Sequence, residues 1–164
     1  MPPSSSTPAV PRYAIDTSAV LDAWVRYYPE DVFPSVWVKL EALICEGRMT
    51  APDEVLAELK RKLDDAHEWA KKQSGFFVPL ELPIQMAAAA ILKQFPKLVD
   101  TRKDRMSADS FVIALAQVEG CTVVTGERPT TSLQKPNIPD VCRELNVRCL
   151  SMMELFRAEQ WVFS

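Results

Sequence analysis

The chain has 164 residues, 48% of them hydrophobic and 25% charged, which is the composition of one globular domain with a core of its own. Its formal net charge is −3, so the charge of the whole protein does not recruit nucleic acid, and only a local basic rim can do so. The four cysteines are scattered without a CxxC pair, which argues against both a zinc site and a disulfide framework.

The sequence shows neither a membrane span nor a targeting segment. No stretch approaches the roughly 20 continuous apolar residues that a membrane-spanning helix needs. Residues 1–11 are rich in Ser and Pro and lack both an apolar segment and positive charge, so they are predicted to be a disordered leader. We therefore expect a cytoplasmic protein whose single domain spans residues 12–164.

The first half of the chain alternates short apolar runs with helical patterns. The predicted elements are a buried strand at 13–16, a helix at about 19–28, a second helix that ends before Gly47, an extended segment at 48–51, and a helix from there to about Lys72. Thr50 is expected to cap the last of these helices. Trp24 and Trp37 fit core positions of the first two helices, and a patch around them is a candidate homodimer interface.

The second half continues the same alternation. The predicted elements are an extended segment at 76–78, a helix at 84–95, a loop at 98–105, a nearly all-apolar helix between Ser107 and Gly120, a strand at 121–125, a helix at 140–145, a strand at 147–150, and a final helix from Ser151 toward Trp161. Alternating strands and helices imply right-handed crossovers. The predicted fold class is therefore α/β, with three α/β/α layers around a central parallel sheet.

Four carboxylates are predicted to meet at one edge of this sheet. Asp16 and Glu127 follow the ends of strands, while Asp109 and Glu58 lie in the first and second turns of helices. In a parallel sheet with crossover helices, strand carboxyl ends and helix amino ends share one edge, where open α/β folds bind their ligands. Helical periodicity places Glu58 at the border of its helix's buried face and points Glu54 away.

A cluster of buried carboxylates normally needs a cation, because uncompensated buried charges cost several kcal/mol each. Oxygen-only ligands suit Mg²⁺ or Mn²⁺, and such a site favours metal-assisted hydrolysis of a phosphodiester. Basic residues accompany the acids and are candidates for contacts with an RNA backbone: Arg61, Arg105 and Arg128.

Four ordered segments resemble the motifs of a PIN domain, the fold of VapC-like ribonuclease toxins. They are residues 13–18 (YAIDTS), 55–59 (VLAEL), 108–116 (ADSFVIALA) and 122–127 (TVVTGE). The acidic set of that family is usually Asp, Glu, Asp and Asp. By motif match it corresponds here to Asp16, Glu58, Asp109 and Glu127, and hydroxyl positions that support the site correspond to Ser18 and Thr125.

The resemblance implies an endoribonuclease that depends on Mg²⁺ or Mn²⁺ bound by those four acids. PIN proteins of this kind are frequently toxins of type II toxin–antitoxin pairs, each neutralised by an antitoxin protein, and frequently homodimers. Glu127 stands where Asp is commoner, which leaves its role open. The long segment between Asp16 and Glu58 indicates a less characterised PIN subgroup.

Three other classes of protein share part of this pattern. A haloacid-dehalogenase-like phosphatase needs Asp-x-Asp after its first strand, and Ser18 occupies the second position here. A response-regulator receiver needs an acidic pair there and a Lys at the end of a late strand, whereas this chain has Asp16-Thr17 and no such Lys. The remaining alternative is a catalytically silent PIN-like module that binds RNA or a protein without cutting.

Overall fold

The structure is a computed structural model that describes residues 9–98 and 108–164. Its strands are β1 (Tyr13–Ile15), β2 (Met49–Pro52), β3 (Phe77–Val78), β4 (Thr122–Val124) and β5 (Cys149–Leu150). They form one sheet in the order β3-β2-β1-β4-β5, and every neighbouring pair is parallel. The predicted α/β class with a central parallel sheet is confirmed.

Helices connect and flank these strands. They are α1 (Thr17–Asp22), which runs into a π-helical turn (Ala23–Tyr27), α2 (Pro34–Cys45), α3 (Asp53–Lys62), α4 (Asp64–Lys71), α5 (Leu82–Gln94), a 3₁₀ turn (Pro96–Leu98), α6 (Asp109–Glu119), α7 (Ile138–Glu144) and α8 (Met152–Ala158). Gly120 ends α6 in the left-handed conformation, with φ of 68°, as a glycine at a helix end commonly does.

β1 lies at the centre of the sheet because all three of its residues are apolar and buried, as a strand covered on both faces requires. The strand order reverses between β1 and β4, so the chain's topological switch point lies there. Ligands of open α/β sheets bind outside the carboxyl ends of the strands at such a point. The two strand ends at this point deliver Asp16 and Thr125.

The prediction of a single helix that reaches Lys72 is wrong. Leu63 has an extended conformation, with φ of −159° and ψ of 105°, and separates α3 from α4. The half-buried Leu63 packs against the core at this break. Thr50 does not cap α3 either. It pairs with Ala14 inside β2, and Pro52 occupies the position before the helix.

The helix predicted at 19–28 begins earlier and changes type. α1 starts at Thr17, and from Ala23 the backbone widens into a π turn, in which the Tyr28 amide donates to the Ala23 carbonyl five residues back at 2.8 Å. Local propensity gives no signal for the extra residue that such a turn contains.

Other predicted boundaries shift by a few residues. α7 begins at Ile138, two residues early, β5 covers only Cys149–Leu150, and α8 ends at Ala158, before Trp161. Ser151 caps α8 as predicted and accepts a hydrogen bond from the Glu154 amide. The predicted cap at Ser107, most of the 98–105 loop and residues 1–8 of the predicted leader lie outside the described residues.

The tryptophan pair belongs to the core of the domain. Trp37 is 2% exposed, and its ring lies edge-on to that of the half-buried Trp24, with centroids 4.7 Å apart. Trp37 therefore cannot contribute to the homodimer interface suggested for this patch. Across residues 9–98 and 108–164, no helix combines the length and the apolar character needed to cross a bilayer.

Leu115 of α6 tests whether this helix is the buried centre of the domain, because its side chain is 1% exposed. Leu115→Ala should lower the free energy of unfolding by about 2–5 kcal/mol, through lost burial and the cavity left behind. Val118→Ala, in the same helix but 41% exposed, is the matched control and should change it by less than about 0.5 kcal/mol. Equal losses in urea denaturation would contradict this placement of α6.

Candidate metal centre at the carboxyl edge of the sheet

Asp16 is fixed by hydroxyl groups from two different elements. Its amide continues the sheet by donating to the Val124 carbonyl at 2.9 Å, which places the side chain just beyond β1. One carboxylate oxygen, Oδ2, accepts hydrogen bonds from Ser18 Oγ at 2.5 Å and Thr125 Oγ1 at 3.0 Å. Each hydroxyl has a single proton, so both protons are committed to Asp16.

The same two hydroxyls accept backbone hydrogen bonds from the residues after β4. Ser18 Oγ accepts from the Gly126 amide at 3.0 Å, and Thr125 Oγ1 accepts from the Glu127 amide at 3.1 Å. The turn that carries Glu127 is therefore tied to the start of α1. Ser18 and Thr125 thus connect Asp16 to the turn that follows β4.

Asp109 lies in the first turn of α6, where the helix dipole favours a negative charge. Burial nevertheless raises its pKa, and repulsion from Asp16, Glu127 and Glu58 adds to the effect, so that the pKa reaches about 9. The nearby Lys62 ammonium opposes this shift. Without a cation, the Asp109 carboxyl therefore holds a proton at neutral pH.

Glu127 is held by the amino end of α7. Its Oε2 accepts a hydrogen bond from the Ile138 amide at 2.8 Å, one of the free N–H groups at a helix start. Burial raises the pKa of Glu127, and the charges of Asp16 and Glu58 raise it further. Burial also raises the pKa of Asp16, although hydrogen bonds from Ser18 and Thr125 oppose the change.

The structure brings together three of the four predicted acids. Asp16, Asp109 and Glu127 each offer a carboxylate oxygen, and these oxygens all lie within 4.8 Å of one another. Opposite ligands of an octahedral Mg²⁺ would be about 4.1 Å apart, so the spread of these oxygens is close to the size of one such site. Only oxygen donors are present, which suits Mg²⁺ or Mn²⁺.

Glu58 takes a different position from the other three acids. It is buried, with 8% exposure, and its Oε1 accepts a hydrogen bond from the Ala108 amide at 2.8 Å, immediately before α6. Its charge adds to the effects that raise the pKa of Asp109. In this geometry Glu58 fixes the start of the helix that carries Asp109.

Glu54 does not point into solvent as helical periodicity predicted. Its Oε2 is buried without a hydrogen-bond partner among the described residues, and burial raises the pKa of the carboxyl.

Asp140 is a site-supporting residue that the sequence reasoning missed. It is fully buried and accepts hydrogen bonds from Thr130 N and Oγ1, Thr131 N and Asn137 N, at 2.8–3.1 Å. Burial alone would raise its pKa, but these hydrogen bonds outweigh burial and lower it. Asn137 and Asp140 form a capping box at the start of α7, and this Asn-x-x-Asp spacing is the sequence signal that could have identified Asp140.

The basic candidates differ in their relation to the acids. Arg61 and Arg128 are exposed, and Arg105 lies outside the described residues. Lys62, next to Arg61, is the cation that lowers the pKa of both Asp109 and Glu127. The sequence pattern pointed to Arg61 and not to its neighbour Lys62.

The raised pKa of Asp109 predicts how the stability of the metal-free protein depends on pH. In the unfolded chain this carboxyl titrates near pH 3.9, so between about pH 4 and 9 the folded state binds more protons. The free energy of unfolding should therefore fall as pH rises through this window, by at most about 1.4 kcal/mol per pH unit for one proton.

Asp109→Asn removes this titration, and should raise the free energy of unfolding at pH 8 and reduce its dependence on pH. The measurement is urea denaturation in a chelator from pH 5 to 9. Glu144→Gln, at an exposed position of α7, is the control and should leave the pH profile unchanged. A profile for Asp109→Asn that matches the wild type would contradict the assignment.

The buried Asp140 should control the order of the loop between β4 and α7. Asp140→Ala leaves four loop donors without their acceptor, so the free energy of unfolding should fall by about 2–4 kcal/mol. Amide hydrogen exchange at Thr130, Thr131 and Asn137 should accelerate. Glu144→Ala in the same helix is the matched control, and unchanged exchange in Asp140→Ala would refute the anchoring role.

Comparison with known proteins gives a family and a fold. The domain of unknown function DUF4411 matches residues 13–163. No curated protein matches the chain in sequence. Among solved structures, the crystal structure of FitAcB from Neisseria gonorrhoeae superposes with a TM-score of 0.51 at 19% sequence identity, covering 84% of this chain and 96% of that one.

At this identity the likeness to FitAcB shows a shared fold alone. The parallel sheet with its flanking helices matches a PIN-like fold, which confirms the fold implied by the four sequence segments. The family match covers nearly all of the described domain, including every acid of the candidate metal centre. The chain therefore belongs to the DUF4411 family of domains.

Proposed function

We propose that this protein is a cytoplasmic, metal-dependent endoribonuclease that hydrolyses RNA phosphodiester bonds. The observation that carries the proposal is the convergence of Asp16, Asp109 and Glu127 within 4.8 Å at the switch point of a PIN-like sheet. Burying three acids this close is unfavourable unless protons or a cation compensate them, as the raised pKa values show.

Asp16, Asp109 and Glu127 would hold Mg²⁺ or Mn²⁺, and Glu58 would orient Asp109 through the start of α6. When bound, such a cation acidifies a coordinated water and neutralises charge on a phosphoryl oxygen. Ser18 and Thr125 keep Asp16 in place by donating to its Oδ2, which restrains the carboxylate. The Ile138 amide restrains Glu127 in the same way.

The basic side chains at the rim would contact the RNA backbone. Lys62 acts on the acids electrostatically, and Arg61 and Arg128 are exposed on the adjacent segments. Arg105 is a further candidate by sequence. Because the net charge of the chain is −3, these local cations have to supply the attraction for phosphate.

The PIN resemblance supports a finer assignment as a VapC-like toxin of a type II toxin–antitoxin pair. The partners would then be an RNA substrate, an antitoxin protein and a second copy of the chain in a homodimer. A small upstream gene that overlaps the coding sequence would support this role. The competing assignment is a silent PIN-like module that binds RNA or protein.

Metal binding and cleavage test the proposal together. Wild-type protein should bind Mn²⁺ in calorimetry, release protons as it does so because Asp109 starts protonated, and cut single-stranded RNA. Asp16→Asn and Asp109→Asn should each weaken Mn²⁺ binding and lower the cleavage rate by about 100-fold or more, because each removes a charged ligand.

Asp65→Asn, at an exposed position of α4, is the matched control and should keep wild-type binding and cleavage. Circular dichroism should show that both site variants remain folded. If folded wild-type protein binds no divalent ion, the nuclease assignment fails and the silent module is favoured. Equal cleavage by wild type and both variants would place the activity elsewhere.

A further inference from the structure

A cleft of about 360 Å³ adjoins the candidate metal centre on the α8 side of the sheet. Thr125 and Gly126 line it, and both also belong to the hydrogen-bond network around Asp16. The volume lies near the lower end of the range for small-molecule sites, so the cleft suits one compact group.

The π turn places an aromatic wall along the cleft. The extra residue in Ala23–Tyr27 brings both Tyr27 and Tyr28 to the lining. Tyr28 is held from behind by Phe33 and Phe156, whose ring centroids lie 5.9 and 5.2 Å away. Tyr27 is 56% exposed and therefore offers its ring to a ligand. π turns occur frequently at functional sites.

The cleft is also lined by one acidic and one basic side chain. Asp22 projects from the last turn of α1, and Arg128 from the segment after Glu127. Both residues are described, and they form no ion pair with each other. Gly126 permits this arrangement, because a Cβ there would lie 2.6 Å from Asp22 Oδ2 and 2.9 Å from the Ser18 carbonyl oxygen.

We propose that this cleft is a nucleobase subsite that selects guanine next to the scissile phosphate, which rests on the proposed ribonuclease function. Tyr27 stacks on the base, and stacking on an aromatic side chain is the usual way to hold an unstacked base of single-stranded RNA. Ala19, Ala23, Met152 and Met153 supply the aliphatic part of the lining.

Asp22 gives the base preference. A carboxylate accepts two parallel hydrogen bonds, and the Watson–Crick edge of guanine presents adjacent N1–H and N2–H₂ donors, whereas adenine, cytosine and uracil do not present two adjacent donors there. Arg128 at the same cleft attracts the phosphate of a nucleotide and repels a cationic side chain of a protein partner. The lining therefore favours a nucleotide over an arginine side chain.

Binding of free nucleosides tests the subsite without requiring metal or cleavage. Guanosine, adenosine, cytidine and uridine are titrated at millimolar concentrations into metal-free protein and followed by NMR. Guanosine should bind most tightly and shift resonances of Tyr27, Gly126 and Met153. Tyr27→Ala should weaken guanosine binding by about tenfold, and Tyr27→Phe should retain it, because the ring is kept.

Asp22→Asn should remove the preference for guanosine over adenosine while the protein stays folded. Val25→Ala is the matched control, since Val25 lies in the same π turn, is 58% exposed and does not line the cleft. Nucleoside shifts elsewhere on the protein, or wild-type binding by Tyr27→Ala, would overturn the subsite. So would saturation by an arginine-containing peptide with no response to nucleosides.

The two proposals fail separately. RNA cleavage without nucleoside binding in the cleft overturns the subsite and leaves the nuclease assignment intact. Guanosine binding without any RNA cleavage or divalent-ion binding supports the subsite and contradicts the nuclease assignment.

Discussion

Two hydroxyl protons, from Ser18 and Thr125, meet on a single oxygen of Asp16, and the candidate site depends on this contact. It joins the end of β1 to the end of β4, the two strands between which the order of the sheet reverses. The hydroxyls also accept the amides of Gly126 and Glu127. The buried carboxylate of Asp16 thereby fixes, through these two hydroxyls, the position of the turn that carries Glu127.

A second layer of contacts holds the other acids from outside the cluster. Glu58 reaches from α3 to the amide that precedes α6, and the start of α7 holds Glu127. Asp140, in the same helix α7, accepts hydrogen bonds from three backbone amides of the loop between β4 and α7. Glu58 and Asp140 are acidic as well, but backbone amides donate hydrogen bonds to their carboxylates. The carboxylates of Asp16, Asp109 and Glu127, in contrast, repel one another.

The sequence was sufficient for features that depend on periodicity and on strand and helix ends. The parallel sheet, the buried β1 and the convergence of Asp16 with Asp109 follow from those patterns. The break at Leu63 was not predictable, because α4 turns back to pack its own apolar face, which is a tertiary effect. The hydrogen bond by which Glu58 anchors the start of α6 depends on one backbone amide, which no local pattern reveals.

The π turn at Ala23–Tyr27 has a consequence for how the family can diverge. Such a turn holds one residue more than an α-helix of the same span, so the loss of one residue would restore ordinary helical hydrogen bonding. An α-helix of the same span would distribute the remaining side chains of the turn differently around its axis, at about 100° per residue, and so would change which of them line the cleft. A single insertion or deletion, far in sequence from Asp109 and Glu127, would therefore rebuild the wall beside the acids and leave the acids untouched.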